Sequence, residues 1–344
     1  MRLLSFVLLL ALPLLPAPAT AQTAPRLTKG RVLRHAPALD QILSPNARLE
    51  IVGSGFTHFE GPLWVADSSM LLFSDPRTRT IYRWSEPSGL SKFLENTGYT
   101  GRLPYGEEPG TNGLALDGRG NLLLCQHGDR RVARLPLAQK SGLLTLTDNF
   151  EGRRYNSPND VVAHPGNGAI YFTDPPFGLP EQEQAPRREL PLSGVYRRDA
   201  RGKVSQEITD LSRPNGLAFT ADGRTLYVSN ADSLRPVIMR YDVRPNGQLR
   251  NGRVFFDMAN LPKVRFGEVP DGLKVDQAGN VYAAGPGGLS IISPAGQLLG
   301  TLDPGETVTN CAWGADEGRT LYLTAGSFLC RIQTQAQGVT APQR

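Results

Sequence analysis

With 344 residues and 40% hydrophobic content, the chain has enough apolar side chains for a sizeable core, and closed all-β folds of this length form one unit. The net charge of +5 is spread as Arg pairs, Arg130-Arg131, Arg153-Arg154 and Arg197-Arg198. With no dense basic run, this is an ordinary solvated surface and gives no reason to expect a nucleic-acid partner. Gly and Pro are plentiful and fall between short apolar stretches, which suits an all-β fold with many turns.

Residues 1–21 read as a secretory signal: Arg2 is the charged start, Leu3 to Leu15 the apolar run, and Ala19-Thr20-Ala21 the small-residue cleavage site. The apolar run is too short to span a bilayer, and no other stretch is long enough. The expectation is a periplasmic or secreted protein without membrane insertion. Residues 22–47 are polar and Pro-rich and read as an N-terminal arm outside the main architecture. Leu49 to Phe56 reads as a single strand, expected to close a ring beside the last repeat.

A short motif then recurs six times, a polar residue leading into an apolar strand. It stands at Glu60-Gly61-Pro62-Leu63-Trp64, Asn112-Gly113-Leu114-Ala115, Asn159-Asp160-Val161-Val162, Asn215-Gly216-Leu217-Ala218, Asp271-Gly272-Leu273-Lys274 and Asn310-Cys311-Ala312-Trp313. The spacings are 52, 47, 56, 56 and 39 residues. Each copy after the first runs into a tight-turn cluster such as Asp117-Gly118-Arg119-Gly120-Asn121, and every copy into a second apolar strand such as Leu122 to Cys125. Such a period, with several strands per repeat, predicts a six-bladed β-propeller over residues 48–334, with a tail at 335–344.

Antiparallel pairing puts the six marked residues and the ends of the second strands, among them Gln126-His127, Thr173-Asp174 and Ser229-Asn230, around one mouth. The longer insertions 98–110, 175–193 and 261–269 open on the same side, above a rigid scaffold, where function usually sits. Glu60, Asn159, Asn215 and Asp271 offer two carboxylates and two amide carbonyls. That set suits a hard divalent cation, calcium first, with magnesium or zinc as alternatives; the lack of His and Cys disfavours zinc. Such an ion could polarise a carbonyl and stabilise the oxyanion formed on attack. Taken singly, Asn-Gly and Asp-Gly are ordinary turn dipeptides. Their position ahead of a strand in six registers, with the tight turns elsewhere, favours a converging site. Asn112 and Asn310 are the weaker members, able to act merely by satisfying backbone groups.

His127 reads either as a hydrogen-bonded rim residue or as a substrate or proton-shuttle group. Asp174, Phe177 and Asn230 divide evenly between substrate wall and loop ordering. His58 reads as structural. Trp64, Trp84 and Trp313 read as core, and the three cysteines, Cys125, Cys311 and Cys330, as buried thiols rather than a disulfide or metal site.

Phe59-Glu60-Gly61-Pro62-Leu63-Trp64, Ser157-Pro158-Asn159-Asp160, Arg213-Pro214-Asn215-Gly216-Leu217 and Pro270-Asp271-Gly272-Leu273 resemble the gluconolactonase/regucalcin (senescence marker protein) family. The bacterial gluconolactonase-like branch is suggested by residues 124–131 and 171–178. The resemblance implies a divalent cation at the top of the channel held by Glu60, Asn215 and Asp271. It implies that Asn159 contacts substrate or completes the metal shell, and that Asp271 is the general base of lactone hydrolysis. Asn112, His127, Asp174, Phe177 and Asn230 are the candidate substrate contacts. One departure concerns substrate: Ser157 stands where regucalcin-type members carry an Arg that holds sugar hydroxyls, and their acidic residue after the next strand has no counterpart in 175–178. The small-molecule partner implied is a sugar-acid lactone such as gluconolactone, and the protein is expected as a monomer or dimer. The alternatives are a related propeller esterase or phosphotriesterase, and a non-catalytic ligand- or protein-binding propeller.

Overall fold

Each of the six motifs leads into a four-stranded antiparallel sheet, and the six sheets form the blades of a β-propeller. The structure, a computed structural model, describes residues 27–56 and 58–340; the signal-like segment 1–21 lies outside the described residues. The innermost strands of blades I to VI are Glu60–Val65, Thr111–Leu116, Val161–Ala163, Pro214–Phe219, Leu273–Val275 and Val308–Gly314. Second strands such as Leu122–Gln126 and Ile170–Asp174 are buried along their whole length. They lie between two neighbouring blades and so read as unbroken apolar runs instead of alternating ones. Aromatic pairs fill the seams: Tyr171 meets Phe219 edge-on at 5.0 Å between blades III and IV, and Tyr282 meets Trp313 at 4.7 Å between V and VI. Trp84 and Trp313 are buried; Trp64 is half-buried and stacks on Tyr322.

The ring closes as expected. Glu50–Ser54 pairs antiparallel with Phe328–Gln333 and is the fourth strand of blade VI, so the last blade holds strands from both ends of the propeller. The N-terminal arm also joins the sheet system. Arg31–Arg34 adds a fifth strand to blade V beside Leu298–Asp303, and Leu39 and Leu43 behind it are fully buried. This covers an edge that would otherwise present unpaired backbone groups. Residues 335–340 run beneath the propeller, where Gly338 pairs with Asp276 and the N–H of Val339 donates to the Val275 carbonyl. Among the described residues no helix is long and apolar enough to cross a membrane.

A belt of hydrogen bonds ties each blade to the next around the axis. Ser74 Oγ donates to the Asn112 carbonyl (2.6 Å), and the Gly113 N–H to the Asn159 carbonyl (2.7 Å). Blades III and IV are joined by the Leu217 N–H and the Asp160 carboxylate. Ser229 Oγ donates to the Asp271 carbonyl (2.6 Å), the Gly272 N–H to the Thr309 carbonyl (2.8 Å), and Thr309 Oγ1 to the Phe59 carbonyl (2.6 Å), completing the circle. Such close approach explains the glycine of the motif. A Cβ on Gly113 would lie 2.6 Å from the Asn159 carbonyl oxygen, and one on Gly272 1.9 Å from Asn310 Cγ.

Candidate active site

Glu60, Asn112, Asn159, Asn215 and Asp271 arrive from five blades and line one cavity of about 570 Å³ at the mouth of the axial channel. The volume is that of a small-molecule site. Each residue stands beside the inter-blade belt, so the contacts that lock the ring also aim these side chains. Glu60 Oε2 accepts from its neighbour's Gly61 N–H (3.3 Å) and from Asn310 Nδ2 (3.5 Å). Asn310 Oδ1 accepts from the Cys311 N–H (2.9 Å), the backbone-satisfying role open to it from sequence. The Asn215 amide donates to the Asp271 carboxylate.

Charge is concentrated here. Burial raises the pKa of Glu60 well above the ordinary carboxylate range, and the carboxylates of Asp271 and Asp160 raise it further. Asp271 is raised by the same causes, burial first and then Asp160, against the Gly272 N–H and the Asn215 amide, which lower it. Asp160 is also raised by burial and is opposed by the Lys274 ammonium. One of its oxygens, Oδ2, is buried with no hydrogen-bond partner among the described residues. Three acidic groups thus repel one another around a single axis.

The other walls come from loops. His58, Arg77, Glu107 and Glu108 lie on one side; Phe177, Gly178, Leu179, Pro180 and Gln182 come from the 175–193 insertion. Phe177 sits as a candidate wall residue, with the Arg213 guanidinium over its ring at 5.6 Å. The other three rim candidates do not line the cavity. His127 is fully buried, its Nδ1 3.2 Å from the Glu108 carbonyl and its Cβ directly behind Gly178. The carboxylate of Asp174 accepts the Asn156 and Ser157 N–H groups, both at 2.8 Å. Asn230 accepts from the Arg213 N–H and donates to the Arg235 carbonyl. All three order the loops, because a residue at a strand end can turn toward the adjoining loop as readily as toward the axis.

Residues 59–327 match the SMP-30/Gluconolactonase/LRE-like region. The chain belongs to this family. A gluconolactonase of Zymomonas mobilis subsp. mobilis is 35% identical over 320 residues, 90% of this chain and 88% of that one. A gluconolactonase structure from Xanthomonas campestris is 29% identical with a TM-score of 0.76, covering 92% of this chain and 99% of its own. The calcium-binding regucalcin of Agrobacterium tumefaciens, at 18% identity and TM-score 0.66 over 85% of this chain and 95% of its own, shares the fold.

In this family member the acid and amide groups at the axis form a mixed donor set. Among the described residues no three Asp, Glu, His or Cys side chains form a group able to hold a metal ion. Hard cations, however, accept amide and carbonyl oxygens beside carboxylates. Two carboxylates and the amides of Asn159 and Asn215 fit such an ion, and a cation would relieve the mutual repulsion of Glu60 and Asp271. Sequence reasoning missed the Glu108, Arg77 and His58 wall and the role of Asp160. For Asp160 a signal existed: it takes the place of the motif glycine in blade III.

Proposed function

We propose that this protein hydrolyses lactones, sugar-acid lactones in particular, at the axial cavity with the help of a divalent cation. The convergence of Glu60, Asn159, Asn215 and Asp271 on one cavity carries the proposal. Its support in the comparisons is the gluconolactonase relatives that align over nearly the whole chain. Glu60, Asn159, Asn215 and Asp271 would hold the ion, with calcium the best match to an all-oxygen set. When bound, it supplies Lewis-acid polarisation of the lactone carbonyl.

The chain's own groups do the rest. The Asn215 amide holds the Asp271 carboxylate in place. Asp271 takes a proton from the attacking water as the new C–O bond forms. The Asn159 amide N–H donates to the oxyanion that develops on the carbonyl oxygen. The ring C–O bond then breaks, and the proton held by Asp271 passes to the departing ring oxygen, giving the open hydroxy acid. The signal-like residues 1–21 support an exported, periplasmic or secreted enzyme.

The test is proton release from glucono-δ-lactone, an aryl ester and a phosphotriester, with and without EDTA. The proposal expects lactone opening that chelation abolishes and added calcium restores. Lactone opening indifferent to exhaustive chelation would remove the cation, and preference for either other substrate would remove the lactone.

A further inference from the structure

The cavity has two unlike walls above the axial carboxylates. One is apolar, built from Phe177, Leu179 and Pro180; the other carries Glu108, Arg77 and His58. The polar wall is held rigidly. The Gly110 N–H donates to the Pro76 carbonyl (2.8 Å), and the His127 and Gly128 N–H groups donate to the carbonyls of Gly110 and Pro109 (both 3.1 Å). Glu108 is thereby fixed to the end of a blade II strand, although it belongs to a long insertion. Its Oε1 accepts from both Nε and Nη2 of Arg77, each at 3.2 Å, and lies 3.8 Å from His58 Nε2. Among the described residues every one of these contacts falls on Oε1, which leaves the second oxygen of this cavity-lining carboxylate outside them. Arg77 is roughly half exposed there, at 46%.

A carboxylate acceptor beside a guanidinium donor matches a pair of neighbouring hydroxyls, one donating and the other accepting. The apolar residues of the same cavity match the C–H face of a saturated ring. Two carboxylates, Glu107 and Glu108, against one guanidinium make the wall a poor host for a phosphate. Building on the lactonase proposal, we infer that Glu108, held by Arg77, is the residue that reads the ring hydroxyls of the lactone. This assigns to the 98–110 insertion the hydroxyl recognition that Ser157 cannot provide.

The test compares glucono-δ-lactone with δ-valerolactone, the same ring without hydroxyls, in the wild type, Glu108→Ala and Glu108→Gln. Loss of a charge-assisted hydrogen bond to a substrate hydroxyl predicts that Glu108→Ala loses about 10- to 100-fold more kcat/KM on the hydroxylated lactone than on the bare one. The loss should fall mainly on KM, and Glu108→Gln, which keeps an acceptor oxygen and the side-chain shape, should recover part of it. Equal losses on both lactones, no loss on the hydroxylated one, or a fall confined to kcat overturn the assignment. If bare-ring turnover is too slow to measure, the KM-against-kcat split decides alone. A wild type that opens neither lactone removes the lactonase reading itself, an outcome distinct from wild-type activity with no effect at Glu108.

Discussion

Gly113→Ala tests whether the belt around the axis positions the catalytic groups. The added methyl would stand 2.6 Å from the Asn159 carbonyl oxygen and 2.7 Å from Asp160 Cα, both backbone atoms that cannot swing aside. Overpacking costs about 1–3 kcal/mol, and disturbing the 2.7 Å Gly113–Asn159 hydrogen bond adds about 1 kcal/mol. Gly113 has no positive φ, so alanine also stiffens the unfolded chain, returning about 0.4–1 kcal/mol. The balance is a destabilisation of about 1–4 kcal/mol, read as a lower urea midpoint. Because the strain falls on the backbone of Asn159, calcium affinity should drop about 10- to 100-fold, as for other groups that orient metal ligands. Gly118→Ala is the control: it lies in a tight turn with nothing within 4 Å of the new methyl. Stability and calcium affinity equal in the two variants would refute the belt as the device that aims the site.

Asp271→Asn should lower lactone kcat by about 10²–10⁴-fold, the usual contribution of a general base; initial rates at saturating calcium test the base separately from the ligand. Asp174 is fully buried with its pKa pushed up to about 7, burial outweighing the Asn156 and Ser157 N–H groups and the Arg130 and Arg188 charges that lower it. The folded protein therefore takes up a proton as pH falls through about 7, where the unfolded chain does not, and this stabilisation is complete below the ordinary Asp pKa of about 3.9 and lost as pH rises through about 7. Urea denaturation across that window should show a slope in the wild type that is shallower in Asp174→Asn, a variant weaker overall because an amide cannot accept both N–H groups. Cys125, Cys311 and Cys330 are buried free thiols whose pKa values burial raises, so a thiol reagent should label none in the native protein and three after unfolding.

The parts of this molecule that repeat were legible in its sequence. Glu60, Asn159, Asn215 and Asp271 could be found because each opens a strand at the same place in its blade, and antiparallel order alone sends them to one mouth. The closing strand at Glu50–Ser54 was legible for a different reason: a lone strand ahead of the first repeat supplies the edge strand that closes the ring beside the last. What does not repeat was harder to read. Glu108 and Arg77 meet only because the 98–110 insertion folds back along residues 126–128, a contact without periodicity. His127, Asp174 and Asn230 were placed at the right strand ends, but pairing order does not say whether an end residue faces the axis or its own loop. The docking of Arg31–Arg34 on blade V depends on an unpaired sheet edge, which no property of the arm itself announces.

The seam of blade VI has a consequence for how the molecule is made. Glu50 and Arg331, 281 residues apart in the chain, meet there as an ion pair at 2.9 Å beside the strand pairing of 50–54 with 328–331. A growing polypeptide can bring blade VI against blade I once residues 308–325 are made, through Thr309 on Phe59 and Tyr322 on Trp64. The strand at 50–54, made first, waits for Phe328–Gln333 before its edge is paired, so the clasp is the late step of a circle already touching.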